Sequence, residues 1–380
     1  IVRRLRPADL GPAEQQAWSQ LEGRAADANA YLSPHFVLPA LQYLDPGLQA
    51  LIVVVQERRS GVWHGLGVFT AARASRLCPL PQLTGYLSRH SYLGGLLVDR
   101  DAVDAVIAAL LADLGGWSGW PLLVLPKMPS EGAVAQALQR HAARSGLAPQ
   151  LLGRQERAML LPSATGPELL RQLLGKRFNE VERCKRRLGE QGAVSWQCLR
   201  ARVDATAVEN FLQLEHQGWK AEEGSSLRSN PADEAFFKAM VAAFDSEGRA
   251  LFTELRVGER AVASTSNVVS GGTGFAFKVG WEAELRKFGP GLINEVEFMR
   301  VAPQVCADLA SFDSGAAPDS FINRLWTERR ELATLVVPLN RLGAWGVDAT
   351  AALRQGLRRL RRPAPAPVGD NAEVAAPAES

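Results

Sequence analysis

The chain has 380 residues, of which 47% are hydrophobic and 22% are charged, and its formal net charge is +3. This length and composition are typical of a soluble protein with two or three domains and large cores. The small net charge does not indicate a nucleic-acid partner, and no apolar run reaches the roughly 18–20 residues that span a bilayer.

The N-terminus and the cysteines bear on the compartment. The first residues, Ile1 to Arg4, lack the apolar core of a signal peptide. The four cysteines are widely scattered and show no metal-ligand spacing. We therefore expect a cytoplasmic protein with reduced thiols, no transmembrane segment and no bound metal.

The first 155 residues alternate between helical and extended patterns. Helical spacing of apolar residues predicts four helices, over residues 9–21, 31–43, 101–114 and 131–145. Short apolar runs predict four strands, over residues 50–55, 65–70, 93–98 and 121–125, with residues 79–85 as a loop. This order predicts one α/β unit over residues 1–155.

A second α/β unit is predicted over residues 156–345. Its first part contains a basic helix at residues 168–190, a strand at 194–200, a helix at 208–217 and a further helix that begins after Asn230-Pro231. Three strands joined by glycine turns then form an antiparallel meander, over residues 250–257, 261–270 and 273–280. A glycine loop, a helix to residue 302, strands at 309–313 and 333–338 and a helical segment at 319–326 complete the unit. The sequence shows no repeat that establishes a duplication.

The composition changes after Pro338, and residues 346–380 form a third segment. Residues 353–362 are a basic amphipathic stretch with five arginines, which predicts a peripheral contact with an anionic surface. From Pro363 onward the chain is rich in proline and alanine and is predicted to be disordered.

The glycine loop after the meander predicts an anion site. It reads R-x-x-G-x-G from Arg286 to Gly291 and leads into an amphipathic helix. Glycines let a ligand approach the backbone, and the first turn of a helix has N–H groups without an intrahelical partner. The helix dipole adds partial positive charge there, so the loop suits a phosphate or pyrophosphate. Alternatively, the loop is an ordinary turn that precedes a helix, and Arg286 is an ordinary solvated arginine.

The order of meander, R-x-x-G-x-G loop and helix resembles the GNAT acyltransferases, in which that loop holds the coenzyme A pyrophosphate. The block from Phe211 to Gly224 resembles the F-x-x-L-E-x-x-G-W-K-x-x-x-G block of the CelD/BcsL-type acetyltransferases, which are associated with cellulose and other exopolysaccharide loci. One departure is a short insertion, residues 281–285, between the third strand and the loop. The resemblance implies tandem GNAT-like α/β domains with mixed, mostly antiparallel sheets flanked by helices. It also implies acetyl-CoA or another acyl-CoA as co-substrate, bound by Arg286, Lys287, Phe288, Gly289, Gly291 and Leu292.

Two carboxylates are candidate catalytic groups. Glu215 lies on the Phe211/Leu212 side of its predicted helix and would need a pKa raised by burial to act as a base. Its neighbour His216 points about 100° away, so both can hardly face one site. Asp313 closes a predicted strand, where polar residues often reach the ligand crevice. The alternatives are an exposed Glu215 and a turn-forming Asp313.

Three further residues are candidates for substrate binding. Trp219 and Lys220 lie in a predicted loop at the edge of the site. The flat indole of Trp219 would contact a sugar or acyl group, unless Trp219 belongs to the core. Lys278 ends a strand near the glycine loop, where it would bind a carboxylate or phosphate or extend to water.

The sequence therefore predicts a GNAT-type acyltransferase that transfers an acetyl group directly to an amine or hydroxyl of an exopolysaccharide or cell-envelope precursor. Its partners would be coenzyme A and a small-molecule or saccharide acceptor. The alternatives are a transferase resembling the FemABX peptidyltransferases, which use aminoacyl-tRNA, and a GNAT-like scaffold without catalysis. Under the FemABX alternative, the basic helix at residues 168–190 would contact the RNA.

Overall fold

The computed structural model describes residues 1–72, 80–116, 120–200, 203–217 and 222–360, with backbone only for residues 353–360. Trp219 and Lys220 lie outside these residues, as does the tail from Pro363 onward. None of the described helices is long and apolar enough to cross a membrane.

The described residues form a single sheet with helices on both faces. The strands are β1 (Val2–Leu5), β2 (Leu51–Gln56), β3 (Trp63–Ala72), β4 (Gln82–Gly85), β5 (Leu97–Val98), β6 (Leu122–Pro129), β7 (Gln150–Leu160), β8 (Val194–Arg200), β9 (Ala250–Val257), β10 (Arg260–Ser270), β11 (Thr273–Trp281), β12 (Ser311–Asp313) and β13 (Glu328–Pro338). The α-helices are α1 (Pro12–Gly23), α2 (Pro34–Pro39), α3 (Val103–Gly116), α4 (Ala133–Arg144), α5 (Pro167–Leu174), α6 (Lys176–Leu188), α7 (Ala205–Glu215), α8 (Pro231–Asp245), α9 (Pro290–Val305) and α10 (Arg341–Leu360).

The sheet has the order β1-β2-β3-β4-β6-β13-β7-β12-β11-β10-β9-β8, with β5 paired to β3. Read inward from its two edges, the sheet shows the same pattern twice. From β1 to β4 all neighbours are antiparallel, β4 and β6 are parallel, and β6 and β13 are antiparallel. From β8 to β11 all neighbours are antiparallel, β11 and β12 are parallel, and β12 and β7 are antiparallel. The fold is therefore α/β, with two similar half-sheets, mostly antiparallel, as the sequence predicts.

The two half-sheets exchange their innermost strands. β7 follows the first series in the chain but pairs with β12 of the second, and β13 follows the second series but pairs with β6 of the first. β7 and β13 also pair with each other, with Arg157 opposite Arg330. This exchange joins the halves into one continuous sheet.

The apolar core occupies both faces of the sheet. Along β2, Ile52 and Val54 belong to one buried cluster, whereas Val53 and Val55 belong to another, because successive side chains point to opposite faces. The first cluster extends across both half-sheets and includes large side chains of α1, α2, α7 and α8. On the opposite face, α3 and α4 cover the first half-sheet and α6 and α9 cover the second.

Several predicted elements differ from the observed ones. The helix predicted over residues 31–43 is three short pieces, because α2 ends at Pro39 and a π-helical turn (Ala40–Leu44) follows. The basic helix predicted over residues 168–190 is divided into α5 and α6 at Gly175, whose φ is +51°. Three strands, β1, β4 and β7, were not predicted. In β7 a glycine and three charged residues interrupt the alternation that signals a strand.

Candidate active site

A wedge-shaped opening lies between β11 and β12. The two strands pair in parallel only through Thr273–Phe275 and Ser311–Asp313. Beyond this point β11 continues to Trp281, whereas the chain leaves β12 through a turn in which Gly315 N donates to Asp313 Oδ1 at 2.9 Å. The opening contains a cavity of about 510 Å³, which we call the wedge cavity. Because the strands diverge, backbone and side chains of both can face a ligand there.

The wedge cavity combines polar groups with an apolar wall. Its polar lining includes Tyr92, Lys127, Gln155, Arg157, Thr265, Asn267, Lys278 and Glu295. Its apolar lining includes Phe277, Phe298, Phe321, Ile322 and Trp326. Tyr92 and Lys127 come from the first series of elements, and Gln155 and Arg157 come from β7. The cavity is therefore built by both halves of the protein.

Glu295 is the acidic residue among those that line the wedge cavity. It lies on α9, its side chain is buried, and its Oε1 accepts a hydrogen bond from Trp326 Nε1 at 2.7 Å. Burial raises the pKa of Glu295 to about 7, although the hydrogen bond from Trp326 acts in the opposite direction. A carboxyl group with this pKa is suited to accept a proton near neutral pH.

Glu215 and Lys278, both predicted from sequence, are brought together. A Cβ at Gly280 would lie only 2.5 Å from Glu215 N, so this glycine lets the end of α7 lie directly against β11. Glu215 Oε2 accepts a hydrogen bond from Leu227 N at 2.8 Å, and Glu215 Oε1 lies 3.5 Å from Lys278 Nζ. Lys278 lines the wedge cavity, whereas Glu215 is 1% exposed behind it. The carboxylate therefore positions the ammonium group.

Asp313 is buried in an ion-pair cluster. Its carboxylate lies 2.9 Å from Arg330 and 3.5 Å from Arg157, at the junction where these arginines face each other across β13 and β7. Two like charges directly opposite in a sheet repel each other, and the carboxylate offsets that repulsion. Asp313 is fully buried, while Arg157 lines the cavity. The catalytic roles predicted for Asp313 and Glu215 stay predictions.

The glycine loop opens α9 as the sequence predicts. Gly289 precedes the helix with φ +63°, a left-handed conformation that glycine adopts without a Cβ penalty, and Pro290 occupies the first helical position. The next two amides, of Gly291 and Leu292, belong to the first turn, where N–H groups lack intrahelical acceptors. Gly291 also lines the wedge cavity, one turn before Glu295. The insertion predicted at residues 281–285 begins with Trp281, whose indole would lie 3.2 Å from a Cβ at Gly291.

A second opening of about 440 Å³ lies between the glycine loop and α5 and α6, and we call it the cationic cleft. Its lining includes four basic residues: Arg177, Arg286, Lys287 and Arg324. Within the described part of the chain, none of the four forms an ion pair with an acidic side chain. Phe321 lines both the cationic cleft and the wedge cavity, so the two openings adjoin at the start of α9.

All six residues predicted to bind coenzyme A lie at these openings. Arg286, Lys287, Phe288, Gly289 and Leu292 line the cationic cleft, and Gly291 lines the wedge cavity. Trp219 and Lys220 lie outside the described residues. Sequence reasoning missed Glu295, Arg157, Lys127 and Arg324 as site residues. For Glu295 one signal existed, because it stands four residues after Gly291 and so on the same helix face.

The corresponding wedge of the first half-sheet, between β4 and β6, is filled by the protein itself. The segment after β4 returns to β6, where Gly94 N donates to Lys127 O at 3.0 Å. A Cβ at Gly94 would lie 2.2 Å from Pro126 O, so the segment packs directly on the strand. Only about 10 Å³ remains open there. Of these two wedges, only the one between β11 and β12 has room for a ligand.

A known protein family matches much of the region that forms the two openings. Residues 175–321 match the family described as acetyltransferase (GNAT) domain. The protein is an acyltransferase. The matched segment extends from the start of α6 past the glycine loop to Phe321, and so includes most of the cationic cleft and the second half's side of the wedge cavity. No curated protein sequence matches the chain.

Solved structures share the whole fold at low sequence identity. FemX is similar with a TM-score of 0.55 and 11% identity, over 87% of this chain and 96% of FemX. The C-terminal domain of a putative lysylphosphatidylglycerol synthetase from Agrobacterium fabrum has a TM-score of 0.53 and 14% identity, over 91% and 97% of the two chains. A conserved protein of unknown function from Bacteroides thetaiotaomicron has a TM-score of 0.54 and 12% identity, over 89% and 100%. These similarities concern the fold, and the resemblance to the CelD/BcsL type stays a prediction.

Proposed function

We propose that the protein transfers an acyl group, most simply acetyl, from acyl-coenzyme A to an amine or hydroxyl of an exopolysaccharide or cell-envelope precursor. The observation that carries the proposal is the junction of the cationic cleft with the wedge cavity at the first turn of α9. One opening offers charge for phosphates, and the adjoining one offers a buried carboxyl group for proton transfer.

The cationic cleft fits the phosphate-bearing part of coenzyme A. Arg286 and Lys287 are exposed beside Gly289, and Arg177 and Arg324 face them from α6 and from the segment after Phe321. Cations without ion-pair partners, next to the N-terminus of a helix of 16 residues, attract a pyrophosphate. The thioester end of the donor would then extend past Gly291 into the wedge cavity.

The wedge cavity supports direct transfer. The acceptor's nitrogen or oxygen attacks the thioester carbonyl carbon, and its proton passes to the carboxylate of Glu295. The carbon–sulfur bond then breaks, and the coenzyme A thiolate leaves and takes up the proton that Glu295 accepted, which returns Glu295 to its carboxylate form. Glu295 suits this step because its pKa of about 7 leaves a substantial unprotonated fraction at neutral pH. No covalent enzyme intermediate is required.

A second candidate donor is aminoacyl-tRNA, which the basic surface of α6 favours. Lys176, Arg177, Arg183, Arg186 and Arg187 are exposed on this helix, next to the cationic cleft. A row of basic side chains can contact the phosphates of RNA as well as those of a coenzyme. The fold shared with FemX agrees with either donor, because at 11% identity it shows fold alone.

Charge removal at the cationic cleft tests the proposal. We expect Arg286→Gln/Lys287→Gln to weaken coenzyme A binding by more than tenfold in calorimetry, about 1.4 kcal/mol, without lowering the melting temperature. Arg58→Gln/Arg59→Gln is a matched control, because these adjacent exposed arginines lie in the turn after β2, outside both openings. Absence of coenzyme A binding together with tight binding of aminoacylated tRNA would replace the first donor with the second.

A further inference from the structure

We propose that the acceptor is anionic and that Lys127 of the first half and Arg157 of β7, the strand that crosses between the halves, bind its carboxylate or phosphate in the wedge cavity. The inference rests on the proposed acyl transfer, and it assigns acceptor recognition to Lys127 and Arg157. The donor and the acceptor would then be held by different residues on either side of the start of α9.

The environment of the Arg157 guanidinium is the main observation behind this inference. Its side chain is 4% exposed, yet it lines the wedge cavity. Its NH1 donates to Tyr92 O at 2.6 Å and lies 3.5 Å from Asp313. Within the described structure its Nε is buried with no hydrogen-bond partner. A buried guanidinium with an unused donor at a cavity wall suits an anionic ligand, because leaving such a donor unpaired is costly.

Lys127 is held at the same cavity by an unusual backbone. Its φ is +50°, and no other non-glycine residue in the described ranges has a positive φ. The backbone contact of its carbonyl oxygen with Gly94 N fixes this conformation, and its Nζ donates to Ser91 O at 3.1 Å. A left-handed conformation is unfavourable for a residue with a Cβ and is often retained at functional sites. The conformation places an ammonium group at the cavity, where an acceptor would enter.

Among the described residues that line the wedge cavity, cations outnumber acidic groups. Lys127, Arg157 and Lys278 line it, whereas Glu295 is the acidic group among the described lining residues. Glu215 and Asp313 lie behind Lys278 and Arg157 and offset part of their charge. A neutral sugar would leave Arg157 Nε and the ammonium group of Lys127 without an anionic contact, whereas a carboxylate or phosphate would supply one.

Phosphate and acetate titrations of donor-free protein test the inference. The experiment uses Arg286→Gln/Lys287→Gln as the background, because it weakens anion binding in the cationic cleft. We expect inorganic phosphate or acetate, at constant ionic strength, to raise the melting temperature of this background. Adding Lys127→Asn should weaken that binding about tenfold, as expected for the loss of one charge-assisted hydrogen bond. Asparagine tolerates the left-handed backbone at this position.

The controls separate this inference from the proposed donor. Lys238→Gln removes one exposed lysine from α8, outside the wedge cavity, and should leave anion binding unchanged. Comparison of phosphate with acetate distinguishes the two anion classes. Stabilisation by neither anion, or equal stabilisation with and without Lys127→Asn, would overturn the inference. The donor proposal fails instead if coenzyme A still binds the background variant, so the two failures are distinguishable.

Discussion

Glu295 has the properties that a proton acceptor in acyl transfer needs. It lies one helical turn after the glycine loop, so one helix would position both the proposed donor and the proposed proton acceptor. Its burial favours the neutral carboxyl, and the Trp326 indole holds one oxygen in place. Glu215 and Asp313 have similar burial but lie beside cations. Their contacts make them positioning groups for Lys278 and Arg157.

The pH dependence of Glu295→Gln tests this assignment. The parent's kcat/KM should rise with pH through about 7, because the carboxyl of Glu295 loses its proton there. The variant should lose about 10²-fold to 10⁴-fold in kcat and should show no rise near pH 7. Glu284→Gln removes an exposed carboxylate near the glycine loop and serves as a control. A variant that keeps the parent's profile would contradict the role of Glu295.

The stability of the same variant provides an independent check. The folded-state pKa of Glu295 is raised above its ordinary value of 4.5, so the native state binds this proton more tightly than the unfolded state does. The group's contribution is therefore fully present below about pH 4.5 and is lost as pH rises through about 7. In chemical denaturation, we expect the free energy of unfolding of Glu295→Gln to depend less on pH between about 4.5 and 7 than that of the parent protein.

At the scale of elements, α10 has an exposed apolar face. Val347 is buried against the sheet, whereas Leu342 is 55% exposed and Trp345 is 68% exposed. Leu342 and Trp345 are three residues apart and so lie on one face of the helix. The sequence continues this helix with arginines at positions 354, 358 and 359. Apolar and basic residues on one surface helix favour the interface of an anionic membrane.

We propose that α10 binds anionic bilayers, and vesicle co-sedimentation tests it. The protein should sediment with vesicles that contain phosphatidylglycerol and should remain in solution with pure phosphatidylcholine, because the arginines require anionic lipid. Leu342→Ser/Trp345→Ser should reduce the bound fraction severalfold through the loss of apolar burial. Val62→Ser, at an exposed valine far along the chain, is the control. Equal binding to both lipids, or release of the protein by RNA alone, would refute membrane binding.

At the scale of the whole molecule, strand exchange determines which segments fold together. We propose two duplicated units, residues 1–155 and 156–345, whose boundary falls inside β7 because that strand crosses from one half-sheet to the other. β13 returns across the same junction and pairs with β6. Each half-sheet therefore depends on a strand that lies distant from it in the chain.

A pair of C-terminal truncations tests this dependence. Deleting residues 328–380 removes β13, which pairs with both β6 and β7. We expect this truncation to abolish cooperative unfolding, including amide protection in β2 and β3 of the first half, because β6 and β7 lose their shared neighbour. Deleting residues 363–380 is the control, and its composition predicts no change in melting. Retained protection of β2 and β3 after the longer deletion would show that the first half folds independently.

Local signals were sufficient for the meander, the glycine loop and α9. These elements depend on contacts within a few residues, on glycines at turns and on helical spacing of apolar side chains, all of which the sequence displays directly. The placement of Arg286 to Leu292 at the start of a helix follows from the same local rules. The fold class followed from resemblance and agrees with the observed sheet.

The remaining features required the tertiary structure. The raised pKa of Glu295 depends on burial beside Trp326, and the cluster of Arg157, Asp313 and Arg330 joins three strands. β7 lacks the alternation of a surface strand, so its sequence does not signal a strand. Its pairing partners β12 and β13 come from distant parts of the chain. Sequence patterns record periodicity along one segment, whereas burial, ion pairing and strand exchange are properties of segments far apart in the chain. For that reason the sequence alone determined the glycine loop at the start of α9, and only the tertiary structure decided which carboxyl group and which cations lie beside it.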